Sequence, residues 1–370
     1  MNQQRTKTIP KPLKIVGFSL LAVLLITTIY VMFEFGIPDR MNYVVNSDQK
    51  TCTVTGAKNP LTLVLHIPEK IDGYTVTAID NKAFSGYPMR IVILPKTITK
   101  LGESAFSECR KLLWIRGIQK CSDLLEISKF AFLNCRSLLS IELPDSVKTI
   151  NDCAFAGCLG LKNVSIPSNV YTIGLGAFTT CLNFNQIYIP ASVNSIKVEA
   201  FNGCLFLKEI SVDESNPYWC SIDGVLYFKD MTTLHSYPAG KRDKLFVIPD
   251  GVTTIGSYSF AYSMNLEVLN IPNSVIKIGS CAFYDLVSKS PLTTINYDGT
   301  IEMWNSIQKS SDWDSDSPNF TIYCTDGQIA AFFRKDDSCH RQHQGKCQDY
   351  SHKFGYHFHF FASFLIVYFY

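Results

Sequence analysis

Three consecutive segments within residues 144–212 carry the same pattern of residues at an interval of 23. Each begins with a proline, has Ala-Phe ten and eleven positions later, and has a cysteine at the fourteenth. A segment of this length cannot enclose a hydrophobic core, so it has to stack on its neighbours. The period therefore predicts a solenoid, because repeats of 20 to 50 residues are the signature of stacked architectures.

The Ala-Phe pair can be followed beyond these three segments, and it defines eight copies of the repeat. The alanine is replaced once, by Ser259. Phenylalanine at a fixed position in every coil predicts a column of buried aromatic side chains. The repeat phenylalanines are Phe84, Phe106, Phe132, Phe155, Phe178, Phe201, Phe260 and Phe283.

A cysteine follows five of these phenylalanines at the third position. The column admits a metal ladder or redox pairs, or a small side chain that packs in the core, since free cysteine is among the most buried residue types. Ser263 and Leu286 replace the cysteine in two later copies, which favours packing because leucine does not bind metal. We predict structural core cysteines and no metal at Cys109, Cys135, Cys158, Cys181 and Cys204.

Each copy predicts one short strand and one turn. Alternating β-branched residues that run into proline, as in Val164-Ser165-Ile166-Pro167, indicate a strand with one buried face. The Ala-Phe-x-x-Cys-x-x-Leu segment has apolar residues at a spacing that favours a short helical turn. Stacked copies should then form a parallel sheet.

The pattern I-x-I-P-x-x-V-x-x-I-x-x-x-A-F-x-x-C-x-x-L resembles the BspA-like class of leucine-rich repeats over about residues 60–325. The resemblance implies a leucine-rich-repeat solenoid, α/β horseshoe-like and rich in β-structure. Members of this class are surface proteins of bacteria and protists that are associated with adhesion to host proteins and cells. It therefore also implies a surface binding role without catalysis.

The N-terminus predicts a membrane anchor. Residues 1–14 are basic, and an uncharged apolar run fills residues 15–33, long enough to span a bilayer as a helix. We predict a cytoplasmic segment at 1–14 and a transmembrane signal anchor at 15–35, with the rest of the chain outside the cell. A cleaved signal peptide with secretion, and a buried helix, are the alternatives.

Changes in composition divide the remaining chain into six segments. Two strand-like runs at 224–228 and 233–237 predict an inserted β-hairpin that projects from the stack or covers one of its faces. The predicted segments are an N-terminal lead-in or cap at 36–75, repeats at 76–212, the inserted hairpin module at 213–248, repeats at 249–290, a C-terminal cap at 291–327, and a His- and aromatic-rich tail at 328–370 for which disorder is one interpretation.

Charge and motifs exclude several functions. The formal net charge of +2 gives no support for nucleic-acid binding. No Walker, H-E-x-x-H or G-x-S-x-G pattern is present. We therefore predict no enzyme activity, no cofactor and no small-molecule substrate.

The outward-facing strand residues are the candidates for partner binding. Tryptophan, tyrosine and arginine are enriched at binding hot spots, and they occur among mostly small polar residues at these positions. We predict a protein-binding cluster, against the alternative of incidental surface residues, at Arg90, Trp114, Arg116 and Tyr188, with Val92 also placed on the outward face.

Together these features predict a membrane-anchored surface protein that adheres to a host or matrix protein. The alternative is a structural surface-layer protein that associates with itself through the solenoid edge or through free cysteines. An enzyme is the weakest interpretation.

Overall fold

The computed structural model describes residues 40–285 and 290–330, which form a stack of coils built almost wholly from short strands. It contains one short α-helix, α1 (Ile301–Ser306), and a 3₁₀ turn, Ile118–Lys120. The strands are β1 (Met41–Val45), β2 (Thr51–Ala57), β3 (Val64–His66), β4 (Lys70–Ile71), β5 (Tyr74–Ile79), β6 (Ile91–Ile93), β7 (Lys100–Leu101), β8 (Trp114–Arg116), β9 (Glu126–Ile127), β10 (Ser140–Glu142), β11 (Thr149–Ile150), β12 (Asn163–Ser165), β13 (Thr172–Ile173), β14 (Gln186–Ile189), β15 (Ser195–Ile196), β16 (Glu209–Val212), β17 (Trp219–Ile222), β18 (Val225–Phe228), β19 (Thr233–Ser236), β20 (Leu245–Val247), β21 (Thr254–Ile255), β22 (Val268–Ile271), β23 (Lys277–Ile278), β24 (Thr294–Tyr297), β25 (Gln308–Lys309), β26 (Thr321–Cys324) and β27 (Gly327–Ala330).

The transmembrane segment predicted at 15–35 and nearly all of the tail predicted at 328–370 lie outside the described residues, as does Leu286. Among residues 40–285 and 290–330, no helix is both long enough and apolar enough to cross a membrane.

The predicted parallel sheet is present, and we call it the face sheet. It consists of strands of three or four residues, one from each coil, which pair within four groups: β3, β6 and β8; β10 and β12; β14 and β16; and β20, β22, β24 and β26. Side chains alternate along each strand, as in β12, where Val164 is buried and its two neighbours are exposed. The solenoid prediction is therefore confirmed.

A second parallel sheet, which we call the side sheet, was not predicted. All of its strands have two residues except β19, which has four; β9, β11, β13 and β15 pair side by side, as do β19, β21, β23 and β25. The second residue of each strand in the first of these runs is a buried isoleucine. The aliphatic position six residues after each repeat proline thus belongs to a strand of its own.

The Ala-Phe segments form chains of turns, and the prediction of short helical turns was wrong. The amide of Ala154 closes a turn with the carbonyl three residues before it (3.2 Å), whereas the amide of Phe155 donates to Ala177 O in the next coil (2.8 Å). Cys153 and Gly157 have positive φ angles of 51° and 72°, which an α-helix excludes. Neighbouring coils therefore hold these segments in place, and we call their stack the turn ridge.

The repeat phenylalanines are buried and stack in a column. From Phe84 to Phe201, successive rings lie 5.3–6.0 Å apart with angles of 2–12° between their planes. Phe260 and Phe283 continue the stack further along the chain at 5.7 Å. Each ring thus fills the space between two coils, and no coil encloses a core by itself.

The five cysteines form a second buried column with a specific hydrogen bond. Each thiol donates to the carbonyl oxygen of the phenylalanine in the preceding coil, at Sγ–O distances of 3.1–3.3 Å. Burial raises the pKa of four of these thiols, to about 12 for Cys204, so they remain protonated donors. The donors and acceptors are Cys109 and Phe84, Cys135 and Phe106, Cys158 and Phe132, Cys181 and Phe155, and Cys204 and Phe178.

The segment predicted as an inserted hairpin module, 213–248, contains an additional coil of the stack. Strands β18 and β19 pair in antiparallel fashion as predicted, but β19 also pairs in parallel with β21 in the side sheet, and β20 pairs with β22 in the face sheet. Tyr237 takes the place of the repeat phenylalanine, since its amide donates to Ser259 O (2.7 Å) and its ring lies 5.2 Å from that of Phe260. The inserted module is therefore shorter than predicted.

The inserted residues themselves form an antiparallel ribbon of β17 and β18. Trp219 anchors this ribbon; it is buried, with its ring 4.7 Å from Phe228 and 5.0 Å from His235. The boundary between two hydrophobic cores falls in this ribbon. Leu226 is the last residue of the first core in chain order, and its neighbour Val225 is the first residue of the second core.

The turn ridge is interrupted where these two cores meet, between the coils of Phe201 and Tyr237; we call this boundary the seam. One coil earlier, the amide of Phe178 donates to Ala200 O at 2.9 Å across the coil boundary. Among the described residues, three amides at the seam have no such acceptor: those of Glu199, Phe201 and Gly203.

Other contacts close the two ends of the seam. At one end, Gly240 N donates to Leu207 O (2.8 Å), and a Cβ on Gly240 would lie only 2.6 Å from Leu205 O. At the other end, the His235 ring lies 3.2 Å from Ile196 O through Nε2. The seam is thus closed at both ends and loosely packed between them.

Both ends of the described stack are covered. At the start, β1 and β2 form an antiparallel pair, and β2 then pairs in parallel with β5. At the other end, α1 places the buried Trp304 against Tyr297 and Trp313, and β27 adds an antiparallel strand to β26. These pieces cover the apolar end faces that a solenoid otherwise exposes.

Candidate partner-binding face

The face sheet presents a flat row of side chains to solvent because every second residue points outward. On β8 the outward residues are Trp114 and Arg116, while Ile115 between them is buried. Trp114 is 40% exposed. An exposed indole beside an exposed guanidinium is a combination that is enriched in protein-binding hot spots.

Arg90 lies beside this pair, although it does not occupy the outward strand position predicted for it. In the observed register, Ile91 pairs with Trp114 and Val92 with Ile115, so Val92 is buried and Arg90 precedes β6. The prediction of Val92 as an outward residue was wrong by one position. Arg90 is exposed, and its carbonyl accepts hydrogen bonds from Leu113 N (2.8 Å) and Trp114 N (3.3 Å).

Tyr188 is separate from this group. It lies on β14, three strands along the stack from β8, and at about 4.8 Å per strand this is a distance of roughly 14 Å. Its hydroxyl donates to Asp213 Oδ2 (2.6 Å), and this hydrogen bond raises the pKa of Tyr188. Hydrogen bonds from Ser215 and then Tyr188 lower the pKa of Asp213. The ring remains 51% exposed, so its face is available for contact.

An aliphatic patch on the same face was missed. Leu245 and Val247 point outward from β20 with more than half of their surface exposed. The sequence contained a signal, since Phe246-Val247-Ile248-Pro249 ends in Ile-Pro like the other strands. Interpreting residues 213–248 as an insertion concealed it.

The cysteine column does not reach this face. Within residues 40–285 and 290–330, no group of three metal-ligating side chains comes together. The cysteine thiols point into the core and bond to carbonyl oxygens, as described above. The exposed residues therefore offer contact area and charge.

The fold is similar to those of several solved bacterial proteins. A leucine-rich cell surface protein from Faecalibacterium prausnitzii matches with a TM-score of 0.55 at 24% identity, over 73% of this chain and 96% of that one. The pneumococcal vaccine antigen PcpA matches with a TM-score of 0.56 at 21% identity, over 78% and 89%. A leucine-rich repeat protein from Bacteroides ovatus matches at 0.52 and 23%, over 78% and 76%.

A search of curated proteins found no match. The model of the BspA type leucine rich repeat region, in contrast, matches six copies that cover more than half of the chain, at residues 69–124, 125–221 and 242–309. The repeat pattern, the stacked parallel strands and this match agree: the chain belongs to the BspA-type leucine-rich repeat family.

Proposed function

We propose that this protein is a non-enzymatic cell-surface recognition protein that binds a host or matrix protein through its face sheet. The supporting observation is the pair Trp114 and Arg116, exposed on a strand whose intervening residue is buried in a continuous core. A side chain held by a rigid sheet loses little conformational entropy when it binds. Family membership supports a surface role, since BspA-like repeat proteins are cell-surface proteins.

The proposed contact region has a centre and two flanks. Arg90, Trp114 and Arg116 form the centre, because Arg90 directly precedes β6 and the other two residues lie on the adjacent strand β8. Tyr188 provides an aromatic contact further along the face, and the aliphatic patch at Leu245 and Val247 lies beyond it. A partner that reached all three regions would follow the stack over many strands, as is usual for solenoid binding surfaces.

The proposal also includes tethering to a membrane by residues 15–35, with the N-terminus in the cytoplasm. It rests on the sequence alone. Protease digestion of intact cells tests it, since an outward-facing repeat region will be cut and a cytoplasmic one will be protected.

The partner-binding face can be tested with the full chain displayed on cells and a panel of immobilised matrix proteins. The double variant Trp114→Ala, Arg116→Ala should lower adhesion at least tenfold. Leu125, which is 51% exposed and precedes a strand of the side sheet, provides a control, and Leu125→Ala should adhere like the native chain. Equal adhesion of the double variant and the control would contradict the proposal.

Self-association as a surface-layer component is the competing function. Light scattering of the full chain in detergent distinguishes the two, because concentration-dependent oligomers that Leu245→Ser, Val247→Ser abolishes would indicate contacts between copies. A monomer that adheres to a matrix protein supports the proposed recognition role.

A further inference from the structure

The coil of Tyr237 lacks part of the turn ridge. In the preceding coil, three residues (Lys197, Val198 and Glu199) separate the buried Ile196 of the side sheet from Ala200. In the coil of Tyr237, His235 alone separates Leu234 from Ser236. The coil after it again has three such residues, Gly256, Ser257 and Tyr258. The ridge thus projects on both sides of the coil of Tyr237 and is missing within it.

The missing turn leaves a notch. One wall is formed by Glu199, Phe201 and Asn202, and the other by Ser257, Tyr258 and Ala261; Ser236, Tyr237 and Pro238 line its floor. The walls are two coils apart, which is about 10 Å at the usual strand spacing. The enclosed volume is about 20 Å³, enough for one or two groups of the size of a water molecule.

Two hydrogen-bond acceptors of the notch lack donors. Oε1 of Glu199 and Oδ1 of Asn202 are inaccessible to solvent, and neither has a hydrogen-bond partner among the described residues. A buried acceptor without a donor costs about 1–3 kcal/mol, and a charged one costs more. Native structures rarely retain two such atoms in one place without a reason.

The charge of the notch favours a cation. Glu199 is the one residue with a formal charge among those that line it. Burial raises the pKa of Tyr258 on the opposite wall, and the negative charges of Glu199, Asp312 and Asp316 raise it further. The unpaired amides at the seam are neutral dipoles and do not reverse this sign.

The size and the ligand set of the notch favour an ammonium group over a metal ion. Calcium takes six to eight oxygen ligands, and magnesium requires an octahedron, whereas this notch offers a single carboxylate. A primary ammonium carries one positive charge, has three N–H donors and is about as large as water. Phe201, Pro238 and Ala261 are largely buried but line the notch, so a methylene group attached to the ammonium would meet apolar atoms there.

We propose that this notch binds a primary ammonium group, supplied either by a lysine side chain of a protein partner or by a free alkylamine. Glu199 and Asn202 accept hydrogen bonds from the ammonium after a side-chain rotation that turns Oε1 and Oδ1 into the notch, and Phe201, Pro238 and Ala261 contact its alkyl chain. The notch lies on the turn ridge, and the assignment does not depend on the face sheet binding a partner.

Titration calorimetry of the full chain in detergent at pH 8, where Glu199 is ionised, tests the proposal with three probes: n-butylamine, the N-acetylated and C-amidated peptide Ala-Ala-Lys-Ala-Ala, and the same capped peptide with norleucine in place of lysine. We expect saturable binding of one amine per chain and no binding of the norleucine peptide. Binding of both amines indicates a site open to protein lysines, whereas binding of n-butylamine alone indicates a site for free amines. Either result supports the ammonium site.

Variants locate the binding within the notch. Glu199→Gln should weaken amine binding at least tenfold, and Asn202→Asp should strengthen it several-fold by adding a second carboxylate. Glu214, an exposed glutamate in the nearby β16–β17 loop, provides the control, and Glu214→Gln should bind like the native chain. Circular dichroism establishes that each variant is folded.

Three results would overturn the proposal. The first is equal binding of the lysine and norleucine peptides, and the second is an unchanged affinity in Glu199→Gln. The third is no saturable binding of either amine at concentrations up to about 50 mM, which is 50-fold above the dissociation constant of about 1 mM expected for a single charged, hydrogen-bonded contact. The third result would mean that the notch holds only water.

Discussion

Nε2 of His235 lies 3.2 Å from the carbonyl oxygen of Ile196, at the position where neighbouring coils place a backbone amide. One coil earlier, for example, Lys197 N donates to Ile173 O at 3.0 Å. Because a carbonyl only accepts, Nε2 carries the proton, and Nδ1 accepts from the Ser236 hydroxyl at 2.8 Å. A neutral histidine side chain thus replaces a main-chain hydrogen bond at the seam.

This arrangement predicts that acid weakens the seam. Burial lowers the pKa of His235 to about 4, below its ordinary value of 6.5. The stabilisation is complete above pH 6.5 and is lost as the pH falls towards 4, because only the unfolded chain takes up the proton in that range. Between pH 7.5 and pH 5 we expect the change in urea unfolding free energy to be about 1–2 kcal/mol less favourable in the native chain than in His235→Gln, a comparison in which the opposite contribution of Glu199 is common to both proteins. The same loss in both proteins would contradict this role of His235.

Glu199, across the seam, should have the opposite effect. Burial raises the pKa of its carboxyl group to about 7, above the ordinary 4.5. The contribution to stability is complete below pH 4.5 and is lost as the pH rises through 7, since the folded chain holds the proton longer. Glu199→Gln should therefore be more stable than the native chain at pH 8, by about 1–2 kcal/mol after allowance for its partial exposure, and equal to it at pH 4. Urea unfolding at both values checks this, and a variant less stable at pH 8 would refute it.

The thiol hydrogen bonds predict unequal effects of two similar substitutions. Cys158→Ala removes both the donor to Phe132 O (3.2 Å) and the volume of the sulfur, so we expect a loss of about 1–3 kcal/mol in urea unfolding. Cys158→Ser retains a donor and should lose less. Cys324, which is only half-buried, is the control, and Cys324→Ser should change stability by less than about 0.5 kcal/mol. Serine and alanine variants of equal stability at position 158 would show that the hydrogen bond contributes nothing.

The aromatic column predicts one destabilising and one stabilising change. Phe178 is fully buried between Phe155 and Phe201, so Phe178→Ala should cost about 3–5 kcal/mol. Tyr237 takes the phenylalanine position with a buried hydroxyl that has no partner among the described residues. Tyr237→Phe removes that hydroxyl and should stabilise the protein by about 1 kcal/mol. Thermal unfolding of the two variants measures both effects, and a less stable Tyr237→Phe would mean that the hydroxyl is bonded, for instance to water.

The stack could be predicted from the sequence because its strongest determinants repeat. Isoleucine before proline and phenylalanine after alanine recur at a constant interval, and each has one dominant structural meaning. The side sheet could not be distinguished, because a two-residue strand is too short to show alternation. The helical interpretation of the turn ridge failed because Cys153 and Gly157 adopt left-handed backbone angles. Their amides donate to carbonyl oxygens of the next coil, and these contacts between coils cannot be read from the spacing of apolar residues.

The candidate sites were less predictable than the stack. Trp114 and Arg116 could be identified because β8 begins eight residues after Phe106, as β12 does after Phe155, but a shift of one residue in β6 placed Val92 in the core. The aliphatic patch and the notch both depend on the coil of Tyr237, in which tyrosine replaces the diagnostic phenylalanine. Once that residue departs from the pattern, counting along the sequence no longer locates the coil.

The interruption of the turn ridge at the seam affects how the stack responds to force. A pull along the stack passes through every coil boundary in series, so the least stiff boundary extends first. At the seam, contacts such as the bond from Gly240 to Leu207 bear a load that a row of main-chain hydrogen bonds shares at the boundary one coil earlier. We therefore expect the seam to be the most compliant boundary of the solenoid. Under tension the molecule would extend at the seam before either half unfolded.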